Sequence, residues 1–188
     1  MTIKVSATEK IVLYGDSLMA GYGLPNEQHL SVVLQNSLRL DGYDLEIING
    51  SVSGNTSSGG LNIAEWTLSE PDISLLVLCL GANDMLRGIK PSETKKNLEE
   101  IIKIAQNKNI KVILAGIIAP DSYGLKYKKK FDKIFPELSK RFKLELIPFL
   151  LEGVALKPEF NLSDGMHPNE KGTIIISKIL KKFILKSL

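Results

Sequence analysis

Two short segments near opposite ends of the chain carry the residue types of a nucleophilic site. Residues 15–18 read GDSL and residues 164–168 read DGMHP. A serine hydroxyl becomes a nucleophile when an imidazole accepts its proton, and a carboxylate three residues before a histidine can reach Nδ1 and leave Nε2 for the serine. We therefore predict Ser17 as nucleophile, His167 as its base and Asp164 as the group that orients the base. A helix N-cap at Ser17 and a polar cap at Asp164 beside an exposed histidine are the simpler alternatives.

Two further segments could stabilise negative charge on a substrate oxygen. Residues 50–60 (GSVSGNTSSGG) form a glycine-rich stretch in which Gly54 would let a backbone N–H point freely into a crevice. Residues 81–84 (GAND) place the amide of Asn83 directly after an apolar run, and an amide N–H can donate to an oxyanion whereas a carboxylate cannot. We predict both as oxyanion donors, against the alternatives of a flexible loop and an asparagine in a turn.

The segments around these residues alternate between short apolar runs and amphipathic stretches. Five runs are predicted as strands, at residues 10–14, 44–48, 73–80, 110–118 and 144–149. Such alternation predicts an α/β fold, with a parallel sheet covered by helices on both faces and one domain over residues 1–188. Reactive groups gather beyond the carboxyl ends of parallel strands, where Ser17, Gly54 and Asn83 follow the first three strands. The pair Asp164 and His167 precedes the last helix.

Helical periodicity connects the strands. Residues 27–40 predict one helix, and a second opens at residues 91–93 with Ser92 as its N-cap. A third pattern over residues 127–142 contains Pro136, which should bend or interrupt it. The last helix starts near Asn169 and is predicted to bury five apolar side chains, those of Ile175, Ile176, Ile179, Leu180 and Phe183.

Composition excludes several classes of protein. The net charge of +3 comes mostly from scattered lysines, which does not predict a nucleic-acid partner. The single cysteine, Cys79, excludes an internal disulfide and a multi-cysteine metal site, and it lies in a run that predicts core packing. The other histidine, His29, is predicted as a surface residue. No apolar run is long enough to cross a bilayer, and the first nine residues do not read as a signal peptide.

These blocks resemble the SGNH (GDSL-type) hydrolases, whose name refers to Ser, Gly, Asn and His. The matching segments are LYGDSLMAGYGLP, VSGNTSSGGL, LCLGANDMLRGIKP, LIPFLLEGV and LSDGMHPNEKG, and the likeness is greatest to the bacterial thioesterase I/arylesterase/lysophospholipase group. The resemblance implies a flavodoxin-like three-layer α/β/α sandwich with a five-stranded parallel sheet. It also implies an oxyanion hole from the N–H groups of Ser17 and Gly54 and the side chain of Asn83, with no metal and no organic cofactor.

The resulting functional hypothesis is a serine esterase and thioesterase acting on small-molecule aryl esters, acyl-CoA or lysophospholipids. A carbohydrate O-deacetylase or acyltransferase on the same scaffold, and a flavodoxin-like binding module without catalysis, are the alternatives. Candidate apolar contacts to an acyl chain are Met85, Leu86, Ile89, Ala119 and Tyr123. We predict a monomer. The compartment stays open: the resemblance favours the periplasm or secretion if a signal peptide has been removed, and the sequence as given would be cytoplasmic if complete.

Overall fold

The sheet of this protein consists of five parallel strands in the order β2-β1-β3-β4-β5, as seen in a computed structural model that describes residues 9–188. The strands are β1 (Glu9–Gly15), β2 (Leu45–Asn49), β3 (Ile73–Cys79), β4 (Lys111–Ala115) and β5 (Glu145–Ile147). Every neighbouring pair is parallel. The predicted α/β/α sandwich with a five-stranded parallel sheet is therefore confirmed.

Helices connect the strands and cover both faces of the sheet. They are α1 (Ser17–Ala20), α2 (Leu30–Leu40), α3 (Ser57–Thr67), α4 (Ala82–Leu86), α5 (Pro91–Asn107), α6 (Leu125–Phe131), α7 (Ile134–Phe142) and α8 (Glu170–Ser187). Helix α2 packs beside α8, while α5 packs between α3 and α7. These two groups form the outer layers. Chain order reverses between β1 and β3, and such a switch point opens a crevice at the carboxyl edge of a parallel sheet.

The core lies on both sides of the central strands. Ile11, Leu13, Leu76 and Leu78 are fully buried, as the continuous apolar runs predict for strands covered on both faces. Cys79 belongs to the same core, which confirms its predicted packing role. Burial of the Cys79 thiol raises its pKa well above the usual value, so the thiol stays protonated. The prediction of one domain over residues 1–188 stays a prediction.

Several predicted boundaries differ from the structure. Helix α5 begins at Pro91 with Lys90 as its N-cap residue, so Ser92 lies within the first turn and the predicted Ser92 cap is wrong. Proline is favoured at this position because the first helical N–H needs no partner inside the helix. The glycine-rich stretch is a loop only up to Thr56, whose side chain accepts a hydrogen bond from the Gly59 N–H and so starts α3.

The pattern at residues 127–142 forms two helices, as the interruption at Pro136 predicted. Helix α6 ends at Phe131, and Pro136 lies in the first turn of α7. A proline there costs little because the N–H groups of a first turn have no acceptor in the helix. In α8, Ile176 and Leu180 are buried as predicted. Three other residues predicted as buried are half-buried, namely Ile175, Ile179 and Phe183, and Ile184 is buried although it was not predicted.

Over the described part of the chain, no helix has the combination of length and apolar character that a bilayer crossing requires.

Candidate active site

Ser17 stands at the carboxyl end of β1, at the first position of α1. The last residue of β1 is Gly15, where a side chain would not fit. A Cβ at this position would lie 2.7 Å from the backbone oxygen of Cys79 on β3. The N-cap of α1 is Asp16, whose side chain accepts a hydrogen bond from the Leu18 N–H at 3.1 Å. The capping role that was the alternative for Ser17 therefore belongs to Asp16. Ser17 presents its hydroxyl to the crevice.

His167 reaches Ser17 from the loop before α8. Its Nε2 lies 2.8 Å from Ser17 Oγ, and its Nδ1 lies 2.7 Å from Asp164 Oδ2. Because an ionised carboxylate only accepts hydrogen bonds, the proton of the neutral ring sits on Nδ1 and Nε2 can accept the serine proton. The structure thus brings together Ser17, His167 and Asp164 in one unbroken hydrogen-bonded chain.

Backbone donors keep Asp164 ionised. Its Oδ1 accepts from the N–H groups of His167 at 3.0 Å and Met166 at 2.8 Å. These hydrogen bonds, first from His167 and then from Met166, lower the pKa of Asp164 to about 2. The loop itself is closed by the Leu162 N–H, which donates to the His167 carbonyl at 2.8 Å. The centroid of the Tyr22 ring lies 4.5 Å from that of the His167 ring, so the two rings are in contact.

Gly54 lies in the loop after β2, which is held against the end of β1. The Val52 N–H donates to the Gly15 carbonyl at 3.1 Å. Gly54 adopts a φ of +80°, a conformation that side chains rarely tolerate. Its carbonyl accepts a hydrogen bond from the guanidinium of Arg87 at 2.9 Å, so α4 and the Gly54 loop are tied together across the crevice.

Asn83 is the second residue of α4, just beyond β3. Gly81, with a φ of +124°, makes the sharp turn from strand to helix. The Nδ2 of Asn83 donates to Asp16 Oδ2 at 3.2 Å, so the amide lies beside the segment that carries Ser17. Four predicted segments therefore meet at one edge of the sheet.

The chain is similar to known proteins along most of its length. Residues 13–173 match the model of the GDSL-like Lipase/Acylhydrolase family. An arylesterase of Vibrio mimicus is 36% identical over 182 residues, which cover 97% of this chain and 91% of that protein. The "Thioesterase 1/protease 1/lysophospholipase L1" of Escherichia coli K12 is 32% identical over 97% of this chain and 86% of its own length. A crystal structure of TesA superposes with a TM-score of 0.91, at 33% identity, over 96% of this chain and all of that one.

The chain belongs to the GDSL-like lipase/acylhydrolase family. The predicted resemblance is confirmed. Four further residues shape the site of this GDSL-like protein and were not predicted from the sequence: Asp16, Tyr22, Asp84 and Arg87. Only one signal pointed to the two carboxylates, namely that each directly adjoins a predicted site residue at the end of a buried strand.

Asp84 is a buried carboxylate that joins three helices. Its Oδ2 accepts from the Ser57 N–H at 2.7 Å, and its Oδ1 accepts from the hydroxyls of Ser57 at 2.5 Å and Thr94 at 3.1 Å. Asn97 adds a hydrogen bond to the Ser57 hydroxyl at 2.9 Å. The starts of α3 and α5 are thereby fixed to α4, which carries Asn83.

The five predicted acyl-chain contacts fall into two groups. Ala119 is fully buried and Met85 nearly so, and both pack in the core. Their role as acyl-chain contacts stays a prediction. Leu86 is exposed, and Ile89 and Tyr123 are half-buried. Tyr123 lines a groove of about 460 Å³ along α6 with residues that include Leu125 and Tyr127. The hydroxyl of Tyr127 donates to the Ile89 carbonyl at 2.9 Å, which links this groove to the loop after α4.

His29 differs from its predicted exposed position. It is half-buried against Gly21, and its Nε2 donates to the Leu24 carbonyl at 3.1 Å. It therefore supports the chain after α1 rather than facing solvent. Among residues 9–188, no three His, Cys, Asp or Glu side chains cluster in a way that could hold a metal ion.

Proposed function

We propose that this protein is a serine esterase and thioesterase that hydrolyses small carboxylic esters and acyl thioesters through an acyl-enzyme. The observation that carries the proposal is the continuous hydrogen-bonded chain from Ser17 Oγ through His167 to Asp164. It lies in a chain of the GDSL-like family whose relatives bear the names arylesterase and thioesterase 1/lysophospholipase L1.

Acyl transfer then occurs in two halves. His167 Nε2 takes the Ser17 proton as Oγ attacks the carbonyl carbon, and the same proton goes to the departing alcohol or thiol. Asp164 stabilises the imidazolium that forms between these steps. Water attacks the acyl-enzyme in the second half and gives a proton to His167. His167 passes this proton to Ser17 Oγ as the bond between Oγ and the acyl carbon breaks, which releases the acid and restores the enzyme. Asp164 is ionised in mildly acidic and neutral solution because the hydrogen bonds from His167 and Met166 lower its pKa to about 2.

Three donors from three segments stabilise the oxyanion in this proposal. They are the N–H of Ser17 at the start of α1, the N–H of Gly54 and the second amide hydrogen of Asn83. Support comes from the positive φ of Gly54 and from the Asn83 hydrogen bond to Asp16, which leaves one amide hydrogen without a partner among the described residues. Such donors act most strongly where charge develops in the transition state.

Labelling with a fluorophosphonate tests the nucleophile. We expect one label per chain, on Ser17, with loss of both labelling and ester hydrolysis in a folded Ser17→Ala variant. Ser122→Ala removes an exposed hydroxyl outside the hydrogen-bonded chain and serves as the control that keeps full activity. A folded Ser17→Ala protein with normal turnover would contradict the assignment of the nucleophile.

The same experiment separates the alternatives. A chain that reacts with the label and cleaves only acetyl esters would be the O-deacetylase of the alternative hypothesis. A chain whose Ser17 does not react, and that cleaves no ester, would be a binding module on this fold.

A further inference from the structure

Asp16 is a fully buried carboxyl group next to the nucleophile, and the mechanism above gives it no step. Within the described part of the chain it forms no ion pair, and its two oxygens accept one hydrogen bond each. The Leu18 N–H donates to Oδ1, and Asn83 Nδ2 donates to Oδ2. Burying a carboxylate without a counter-charge is costly.

Capping of α1 does not account for that cost. Serine and asparagine cap helices about as well as aspartate and carry no charge. The contact that requires the second carboxylate oxygen is the one to Asn83, 67 positions away in the chain.

We propose that Asp16 is a positioning residue that fixes the orientation of the Asn83 side-chain amide. The two ends of a primary amide have nearly the same shape, so a half-turn about the last side-chain bond exchanges Nδ2 and Oδ1. A carboxylate oxygen only accepts hydrogen bonds, so Nδ2 must face Asp16. The second N–H of Asn83 then stays available to an oxyanion, and Oδ1 points away from it. This inference rests on the proposed function, because it assumes that Asn83 is an oxyanion donor.

Asp16→Asn is the informative substitution because it keeps the shape and removes one acceptor. The single oxygen of the new side chain serves the Leu18 N–H, and its NH₂ group then faces Asn83. The amide of Asn83 then makes a half-turn so that Oδ1 accepts from residue 16. This half-turn places an acceptor where the oxyanion forms. The expected result is a kcat lowered at least as much as by Asn83→Ala, roughly 10²- to 10³-fold, with little change in KM, since the donor acts mainly in the transition state.

A double-mutant cycle tests whether Asp16 acts through Asn83. The four proteins are wild type, Asp16→Asn, Asn83→Ala and the double variant, each assayed for kcat and KM on one soluble aryl ester. If Asp16 acts through Asn83, the substitution at position 16 changes kcat by less than about 3-fold once Asn83 is alanine. If it lowers kcat equally in both backgrounds, Asp16 acts elsewhere, for example through its charge on His167, and the proposal is overturned.

Asp16→Ser provides a second variant that keeps the helix cap and removes the acceptor for Asn83. We expect a melting temperature close to wild type and a kcat loss that again disappears in the Asn83→Ala background. This variant decides the question if Asp16→Asn does not fold. A full kcat in folded Asp16→Ser would overturn the proposal.

The proposed function and this inference fail in different ways. A wild-type chain that hydrolyses no ester would remove both. A wild-type esterase whose kcat falls in Asn83→Ala but not in Asp16→Asn would leave the proposed function intact and remove the role of Asp16 alone.

Discussion

At the scale of single residues, specific hydrogen bonds orient the side chains of the site. His167 has Asp164 on one ring nitrogen and Ser17 on the other, and Asp16 divides its oxygens between Leu18 and Asn83. No buried side-chain nitrogen or oxygen among residues 9–188 lacks a hydrogen-bond partner. Because every such partner is determined, substitutions here should have separable effects on turnover and on stability.

The first prediction concerns Asn83. If Asn83 is an oxyanion donor, the Asn83→Ala variant should have a kcat lowered roughly 10²- to 10³-fold, with KM hardly altered. Asn83→Asp should be worse, because a carboxylate at this position would face both the oxyanion and Asp16 with like charge. The measurement is kcat, KM and melting temperature on one ester. A lower melting temperature with unchanged kcat would instead assign Asn83 a structural role.

The second prediction is a dependence of stability on pH that originates at Asp16. Burial raises the pKa of this carboxyl from its usual value to about 6, although hydrogen bonds from Leu18 and Asn83 oppose the shift. Between the unfolded and folded pKa values, the folded protein holds a proton that the unfolded chain has released. The contribution of this group to the free energy of unfolding is therefore fully present below the unfolded pKa. It is lost as the pH rises through about 6.

Comparison with Asp16→Asn isolates this effect. The free energy of unfolding of wild type minus that of the variant should fall by about 2 kcal/mol between pH 4 and pH 7. Denaturant unfolding of both proteins over that range gives the difference directly. A difference that stayed constant with pH would mean that Asp16 titrates normally.

At the scale of elements, α4 joins the two loops that carry the predicted oxyanion donors. Asp84 on this helix binds the start of α3 through Ser57, and Arg87 just after it binds the Gly54 carbonyl. The loop from β2 and the turn from β3 are thereby held at a fixed separation.

The third prediction is a large loss of stability in Asp84→Ala. The substitution leaves the Ser57 N–H and the hydroxyl of Thr94 buried without their acceptor, which should lower the free energy of unfolding by about 3 kcal/mol. Glu137→Gln removes an exposed ion pair with Lys95 and should cost less than about 1 kcal/mol. Denaturant unfolding of both variants measures the contrast, and equal effects would contradict the structural role of Asp84.

At the scale of the whole molecule, the crevice at the carboxyl edge is bordered by segments from most of the chain. The hollow directly beside Ser17 has a volume of about 10 Å³, whereas the groove along α6 has about 460 Å³. The first has room for about one water molecule and therefore cannot hold an acyl chain. Leu86 is exposed on the helix that carries Asn83.

The fourth prediction is that the enzyme accepts medium and long acyl chains and that Leu86 contributes to this. Leu86 is 53% exposed, and Leu86→Ser should lower kcat/KM for long-chain esters by roughly 10-fold while leaving acetyl esters unaffected. The control is Trp66→Ser, at an 80% exposed side chain near the end of α3. It should change kcat/KM neither for long-chain esters nor for acetyl esters. A panel of nitrophenyl and acyl-CoA esters provides the measurement. Equal losses for all chain lengths would exclude an acyl contact at Leu86.

Local sequence patterns were enough to predict the fold class and the residues that meet at the crevice. Apolar runs marked all five strands because a strand buried on both faces must be continuously apolar. Residue types and short spacings identified Ser17, Gly54, Asn83 and the pair Asp164 and His167. These predictions could be made because the chemistry of a side chain and its distance along the chain can be read without knowing the path of the chain.

The surroundings of those residues could not be predicted from local pattern, because they depend on how the chain packs. Ser17 and His167 are 150 positions apart, and Asp16 and Asn83 are 67 apart. Whether such pairs meet, and how deeply they are buried, depends on strand order and helix packing rather than on local pattern. For the same reason, Met85 and Ala119 could not be told from exposed apolar residues, and Asp16 and Asp84 could not be told from solvated carboxylates. Burial is a property of the assembled layers, and it is burial that gives Asp16 its raised pKa and Asp84 its structural role.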